Sequence, residues 1–495
     1  MFEQKVLPKI GLYSTGLKEY WSQFSGLHQR LTNYGKFIEN KMSNWGIVYN
    51  FGMVDDEISG KKAGEYFENN DVDIIFCHAA TYCNSASILP IHQRCHAKVV
   101  ILNLQPSIEV NYEKTTIEEW LAQCNACPVP EYCNALSRAN IQCDVVSGLL
   151  GLKNTSDISL SNEQTEKRPE AIRAWKEIKE WISAAAVKRT LNEATIGFLG
   201  NTYNGMLDLY SDYTMIQAQT GVGIKILEMD DLDLEFNNLT KKEIDAIMSK
   251  INSVFKISNE ATAEKLVKKP TIADLTWSAK VAASQFKLVK NNCLSGLTYY
   301  YHGDNNSHLQ QLQSGCIVGN SLLTATHVPC AGEGDLKTNI AMKICDILNI
   351  GGSFCEIVCA DYNRGTILLG HDGPFHLDIA DGKPILRCLD VYHGKKGSGI
   401  SVEAKVKQGL ITTVGLTQTV TGKLKLIVSE GESTNGPIMK IGNTQTHVKF
   451  DSDPDQYFER WFAQNPTHHC AMSIGHNANL LKKVGKLLNL EVVEV

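Results

Sequence analysis

No stretch of the chain approaches the roughly 18 consecutive apolar residues that a membrane span needs. The opening Met1-Phe2-Glu3-Gln4-Lys5 lacks the charged-then-apolar layout of a secretory leader, so the expected location is cytoplasmic. No basic stripe or acidic tail is present either. The carriers of the net charge of -6 are interspersed, which argues against a nucleic-acid or membrane partner and favours a small neutral or weakly charged ligand. Internal repeats, coiled-coil heptads and low-complexity tracts are missing as well.

What remains is ordinary globular material. At 43% apolar and 21% charged residues the chain can build several cores, and its 495 residues exceed what one core organises, so two or three domains are expected. The fifteen cysteines are scattered, often within apolar runs such as Ile74-Ile75-Phe76-Cys77, where a free thiol acts as a small buried hydrophobe.

The first part repeats one pattern: a short β-branched or aromatic run, a Gly/Asn/Ser turn, then a helical period. Such runs start at Lys9, Trp45, Asp71 and Lys98, with helix-like stretches at Gly60 to Asn69 and Thr116 to Cys124. After the polar segment Asn154 to Arg168, Pro169 opens a helix whose stripe of Ile172, Trp175, Ile178, Trp181 and Ile182 reads as packing. A second α/β pattern starts at Thr195 to Gly200, continues through Gly223 to Leu227 and charged helices between Lys241 and Val289, and ends on Gly296 to Tyr301. Beyond Gly351-Gly352 the pattern turns to strands with glycine turns, including Gly409 to Val414 and Lys423 to Val428, before a closing helix, Ala478 to Leu488. The expected fold is therefore two doubly wound, Rossmann-like α/β domains, 1-190 and 191-350, followed by a mainly β domain, 351-495.

Two motifs carry little chemistry by themselves. The turn Gly200-Asn201-Thr202-Tyr203-Asn204-Gly205 lacks the spacing and the Lys-Ser/Thr of a phosphate loop. Cys124-Asn125-Ala126-Cys127, with Cys133 and Cys143 further on, lacks the second paired spacing of a structural zinc site.

A third group carries more. In Pro329-Cys330-Ala331-Gly332-Glu333-Gly334-Asp335, two acids sit in a glycine-flanked turn before a helical run, Thr338 to Leu348; alone, they read as helix caps. Glu356, however, stands amid apolar neighbours in a strand-like run, where a buried charge needs a partner or a metal. A strand ends in His371, and a late loop carries His468-His469. Two carboxylates with two imidazoles compose an oxygen-rich octahedral set suited to Mn²⁺, with Co²⁺ or Mg²⁺ as substitutes, rather than structural zinc.

At these residues the chain resembles the L-arabinose isomerase and L-fucose isomerase families. Ala331-Gly332-Glu333-Gly334-Asp335, Gly351-Gly352-Ser353, Leu369-Gly370-His371 and Thr467-His468-His469 follow in the family order. The resemblance implies a metal held by Glu333, Glu356, His371 and His469, and homo-oligomers, trimers or hexamers, with active sites between subunits. It implies an aldose-ketose isomerase acting on a free sugar through a cis-enediol. Proton transfer between C1 and C2 then falls to Glu333 and Glu356, with Asp335, His468, Tyr82 and Gln23 as supporting or substrate-contacting side chains. The chain departs from the family at Tyr13 to Trp21 and at Cys127 to Tyr132, segments that bear on the sugar. L-fucose, D-galactose or a rarer pentose therefore stand beside an L-arabinose-like substrate. A metal-dependent hydrolase and a sugar-binding protein without turnover are the alternatives from other classes.

Overall fold

The β-branched runs become parallel strands wherever both faces are covered by helices. The computed structural model describes residues 6–153, 164–260, 262–303, 307–390 and 398–495; of the polar segment, 154–163 lie outside the described residues. The chain divides into two compact units, Val6–Arg189 and Thr190–Val495.

In the first unit β1 (Lys9–Thr15), β2 (Ile47–Val54), β3 (Ile74–His78), β4 (Lys98–Gln105) and β5 (Cys143–Leu149) form one parallel sheet, order β2-β1-β3-β4-β5. All five residues of the central β3 are buried, as expected of an apolar run covered on both faces. The helix Glu57–Asn69 starts at Asp56, whose carboxylate accepts from the Ser59 amide at 2.7 Å while Ser59 Oγ accepts from the Asp56 amide at 3.1 Å. In the stripe after Pro169, Trp175, Ile178, Trp181 and Ile182 are buried, with Trp175 against Phe37 and Trp45, whereas Ile172 is exposed.

Two histidines are sealed into this unit. His78 Nδ1 meets Ser14 Oγ at 2.9 Å and His92 Nε2 meets the Tyr13 hydroxyl at 3.0 Å. Burial pushes both imidazoles down to about 3. Their folded pKa values lie below the unfolded ones, so the stability they contribute is complete above the ordinary histidine value and is lost as pH falls toward 3. At about 1.4 kcal/mol per pKa unit for each, the pair should remove roughly 2 kcal/mol between pH 6 and pH 5. Urea titrations at the two pH values should show the midpoint falling, and His78→Gln with His92→Gln should flatten the difference. An unchanged slope in the double variant would assign the acid sensitivity elsewhere.

The second unit contains two kinds of sheet. β6 (Thr195–Gly200) and β7 (Gly223–Leu227) are followed by the short β8 (Lys256–Ile257) and β9 (Val267–Lys268), then β10 (Gly296–Tyr300) and β11 (Cys330–Ala331). A parallel sheet runs β11-β10-β6-β7. The chain then enters β12 (Gly351–Asp361), β13 (Thr366–His371), β14 (Ile385–Asp390), β15 (Ser398–Glu403), β16 (Gly409–Gln418), β17 (Leu424–Thr434), β18 (Thr444–Lys449), β19 (His469–Ile474) and β20 (Glu491–Glu494). The order β16-β19-β12-β13-β18-β17 is antiparallel, and pairing of β16 with β17 closes it into a barrel that β20 joins in parallel. β14 pairs with β15, β8 and β9 in a smaller sheet. Two α/β layers followed by a mainly β region is thus the architecture. No helix among the described residues is long and apolar enough to cross a membrane.

Candidate metal centre

The parallel sheet and the barrel of the second unit meet at the helix Leu336–Ile347, in which every residue from Leu336 to Asp346 is buried. The turn before it brings Glu333 to the same place. Glu333 has φ +60° and Gly334 φ +70°, two left-handed residues in succession, and at Glu333 that conformation costs about 1–2 kcal/mol. Tertiary contacts hold the turn: the Gly334 amide donates to Tyr299 O at 3.1 Å, and Tyr203 N–H donates to Glu333 O at 3.0 Å. A side chain at Gly334 would collide with Asn201 O at 2.5 Å, so glycine is required there.

Asp335 ends the turn. Its Oδ1 accepts the Thr338 amide at 2.9 Å and caps the helix, while its Oδ2 meets His469 Nδ1 at 2.9 Å. Both Asp335 and His469 are fully buried. The barrel supplies the other groups: Glu356 on β12 pairs in register with His469 on β19 and with Gly370 on β13, next to His371. His371 Nδ1 is 3.0 Å from Asp372 Oδ1. Phe354 packs its ring on both imidazoles, with centroids 4.8 Å from His371 and 4.4 Å from His469.

With each Nδ1 turned toward an aspartate, the two Nε2 atoms face one another 3.2 Å apart. Two imidazole lone pairs at that distance repel unless a proton or a cation lies between them. Two donors about 2.1 Å from one ion and at right angles to each other stand about 3.0 Å apart, so the spacing fits adjacent ligands of a single cation. Glu333 Oε2 is buried without a hydrogen-bond partner, standing 3.5 Å from His469 Nε2 and 3.6 Å from His468 Nε2. The ligand atoms of Glu356, His371 and His469 lie within 4.8 Å of one another, as do those of Glu333, His468 and His469. Three of the four ligands expected from the sequence, Glu356, His371 and His469, thus form one group, while the fourth, Glu333, joins His469 in a second group with His468; each set is of a kind that could hold a metal ion.

The protonation pattern agrees with ligation at Glu333 and His469, whereas at His371 it favours a proton that would compete with an ion. Burial pushes the Glu333 carboxyl up, but the imidazoles around it outweigh burial and leave it below its usual value. Asp335 follows the same balance, with His469 outweighing burial. Burial lowers His469 and His371 adds to this, so His469 stays neutral and able to ligate; at His371 the Asp372 and glutamate charges overcome burial and raise it.

His468 sits partly exposed at the rim. Asp208 Oδ2 accepts from its amide at 3.0 Å and lies 2.7 Å from its Nδ1. Against burial, Asp208 and Glu333 raise His468 to about 10, which makes it a cation beside Glu333 at neutral pH. The loop that carries Asp208 is held by Lys337, a buried ammonium that donates to Leu209 O, Tyr210 O and Ser211 Oγ at 3.2, 3.3 and 2.8 Å. A cavity of about 100 Å³ opens beside Glu333, His371 and Asp372, walled by Tyr299, Tyr300 and Gln313.

Tyr82 and Gln23 belong to the first unit. The Tyr82 hydroxyl donates to Glu131 Oε2 at 3.3 Å, and Gln23 Nε2 donates to Glu19 O at 3.1 Å. Sequence reasoning passed over Phe354, Asp372 and Asp208. Asp372 was visible as the neighbour of His371, whereas nothing local marks Asp208, which reaches His468 across 260 positions. A scan against family models finds no match to this chain, and a search of curated proteins finds none either.

Proposed function

We propose that the chain is a metal-dependent aldose-ketose isomerase that acts on a free sugar through a cis-enediol, with an L-arabinose-like or related aldose as substrate. The observation that carries this reading is the facing pair of imidazole nitrogens, 3.2 Å apart, with Glu333 and Glu356 grouped about His469, beside a small cavity lined by tyrosines and polar side chains. Glu333, Glu356, His371 and His469 would hold Mn²⁺, or Co²⁺ or Mg²⁺ in its place. When bound, such an ion polarises the carbonyl and hydroxyl oxygens at C1 and C2 and offsets the negative charge that builds there.

The chain's own residues supply the rest. Glu333 is ionised at neutral pH and its Oε2 has no hydrogen-bond partner, so that oxygen is available to take a proton from carbon. Glu356, like Glu333, has a carboxylate oxygen within 4.8 Å of a His469 ring nitrogen, and the two would form a pair that removes the proton at one carbon and returns it at the next. Asp335 holds His469 by a hydrogen bond, Asp372 stands within ion-pair distance of His371, and His468 offers a hydrogen-bond donor to substrate or to Glu333. Tyr299 and Tyr300 give the cavity walls that keep water from the exchanging proton.

The test is a panel of aldoses, L-arabinose, L-fucose and D-galactose among them, scored for ketose with metal-stripped and Mn²⁺-restored protein. Ketose should form from at least one sugar with metal and from none after exhaustive chelation. Undiminished turnover in the chelated protein would remove the metal from the reaction, and silence across the panel with metal restored would count against the isomerase.

A further inference from the structure

Among the side-chain clusters outside the candidate metal centre is the Cys124-Asn125-Ala126-Cys127 turn of the first unit. We propose that Cys124 and Cys127 form a reversible intramolecular disulfide, making this turn a thiol-oxidation site. The pair joins the end of the helix Ile117–Ala122 to the start of the helix Val129–Arg138, with Cys127 next to the capping Pro128.

The two Sγ atoms are 2.8 Å apart, closer than two sulfurs in ordinary contact and within about 0.8 Å of a bonded separation of about 2.05 Å. The other close thiol pairs lack this approach: Cys133 and Cys143 are 3.8 Å apart, and Cys355 and Cys470 are buried at 3.6 Å. Cys127 is exposed and Cys124 half-buried, so a small oxidant can reach them. A metal is a poorer occupant, because neither cysteine belongs to any group of three or more ligand side chains among the described residues.

The co-reactant is a low-molecular-weight disulfide. One cysteine sulfur attacks it as thiolate, expelling one small thiol and forming a mixed disulfide; the second thiolate then attacks the protein sulfur, releasing the other small thiol. The cysteines lose two electrons and two protons, and the small disulfide gains them. Burial and the neighbouring Cys124 and Glu131 push the Cys127 thiol up to about 12, so exchange at neutral pH is slow. Closure would pin the first turn of Val129–Arg138. There Glu131 accepts from the Ser85 amide at 2.6 Å and from the Tyr82 hydroxyl at 3.3 Å.

The experiment equilibrates the full chain overnight in mixtures of reduced and oxidised glutathione, quenches with acid, alkylates in denaturant and reads peptides by mass spectrometry. In oxidising mixtures the peptide that contains both cysteines should escape alkylation and be lighter by two hydrogens, while Cys133, Cys143 and Cys293 take the label. Dithiothreitol should restore both labels, and in Cys124→Ser the remaining Cys127 should be alkylated or carry glutathione. Two alkylated cysteines at the most oxidising ratio, or two separate glutathione adducts with no internal bond, would overturn the proposal.

Discussion

Replacing Glu333 or Glu356 by glutamine should cost the protein nearly all exchange of the substrate C2 proton with solvent. Glutamine keeps the volume of the side chain and, at position 333, its left-handed backbone, but it can neither take a proton nor supply a negative ligand. Loss of a general base alone lowers rate by about 10² to 10⁴-fold. Weakened binding of the ion adds to that, because each glutamate shares a ligand group with His469. The alternative role for Glu333, capping the following helix, belongs to Asp335, which receives the Thr338 amide. A stability loss from an undone cap is therefore not expected in Glu333→Gln. The deciding measurement is deuterium exchange at C2, followed by NMR on folded variants saturated with Mn²⁺ and given whichever sugar the parent protein isomerises. A variant that exchanges at the parent rate would take its glutamate out of proton transfer.

Much of this arrangement could be read in one dimension. Glu356 stands out because a carboxylate among Ser353-Phe354-Cys355 and Ile357-Val358 has no local partner, and in the barrel it lies opposite His469. His371 stands out as the polar end of an apolar strand, and all six residues of β13 are buried. Elements with period two or 3.6 were similarly legible: the closing helix Ala478–Leu488 has the expected bounds, and Gly351 opens β12.

What escaped the sequence is what depends on long-range closure. The hairpin of β16 and β17 is local, but the barrel closes only because β19 inserts between β12 and β16 across long sequence separations, which no local pattern encodes. The helix Leu336–Ile347 looks amphipathic, since it carries Lys337, Asn339, Lys343 and Asp346, and an amphipathic helix suggests a domain surface. It is buried throughout because those polar groups are satisfied internally. Asn339 donates to Leu297 O and Pro329 O, and Lys343 donates to His327 O and Asp346. Packed against β10 on one side and β12, β16 and β19 on the other, this helix holds the parallel sheet and the barrel in one compact unit. The change of strand pattern at Gly351 accordingly marks a change of sheet type within that unit. The same burial fixes Asp335 at the centre of the site.

Asp335→Asn should weaken divalent-metal binding by about 10 to 100-fold, the usual consequence of losing the partner of a ligating histidine, with little change in fold stability. The carboxylate now serves two donors at once, the Thr338 amide on Oδ1 and His469 Nδ1 on Oδ2. Receiving a proton from Nδ1 fixes the tautomer of His469 with its Nε2 lone pair directed at His371 and Glu333. Asparagine keeps one acceptor, and the helix cap claims it, since an unsatisfied amide at the buried helix start costs about 1–3 kcal/mol. Its NH₂ then points at Nδ1, which must become an acceptor, and the ring proton moves to Nε2, where it blocks ligation. Asp335→Ala separates the two duties. It should lose a similar amount of metal affinity and also about 1 kcal/mol of capping, with the Nδ1–H left unpaired in a fully buried site. Mn²⁺ titration followed by electron paramagnetic resonance measures the affinity, and urea unfolding without metal measures the stability. An Asp335→Asn protein that binds Mn²⁺ as tightly as the parent would show that His469 does not depend on Asp335 for its tautomer, and parent affinity in both variants with stability lost only in Asp335→Ala would reduce Asp335 to a helix cap.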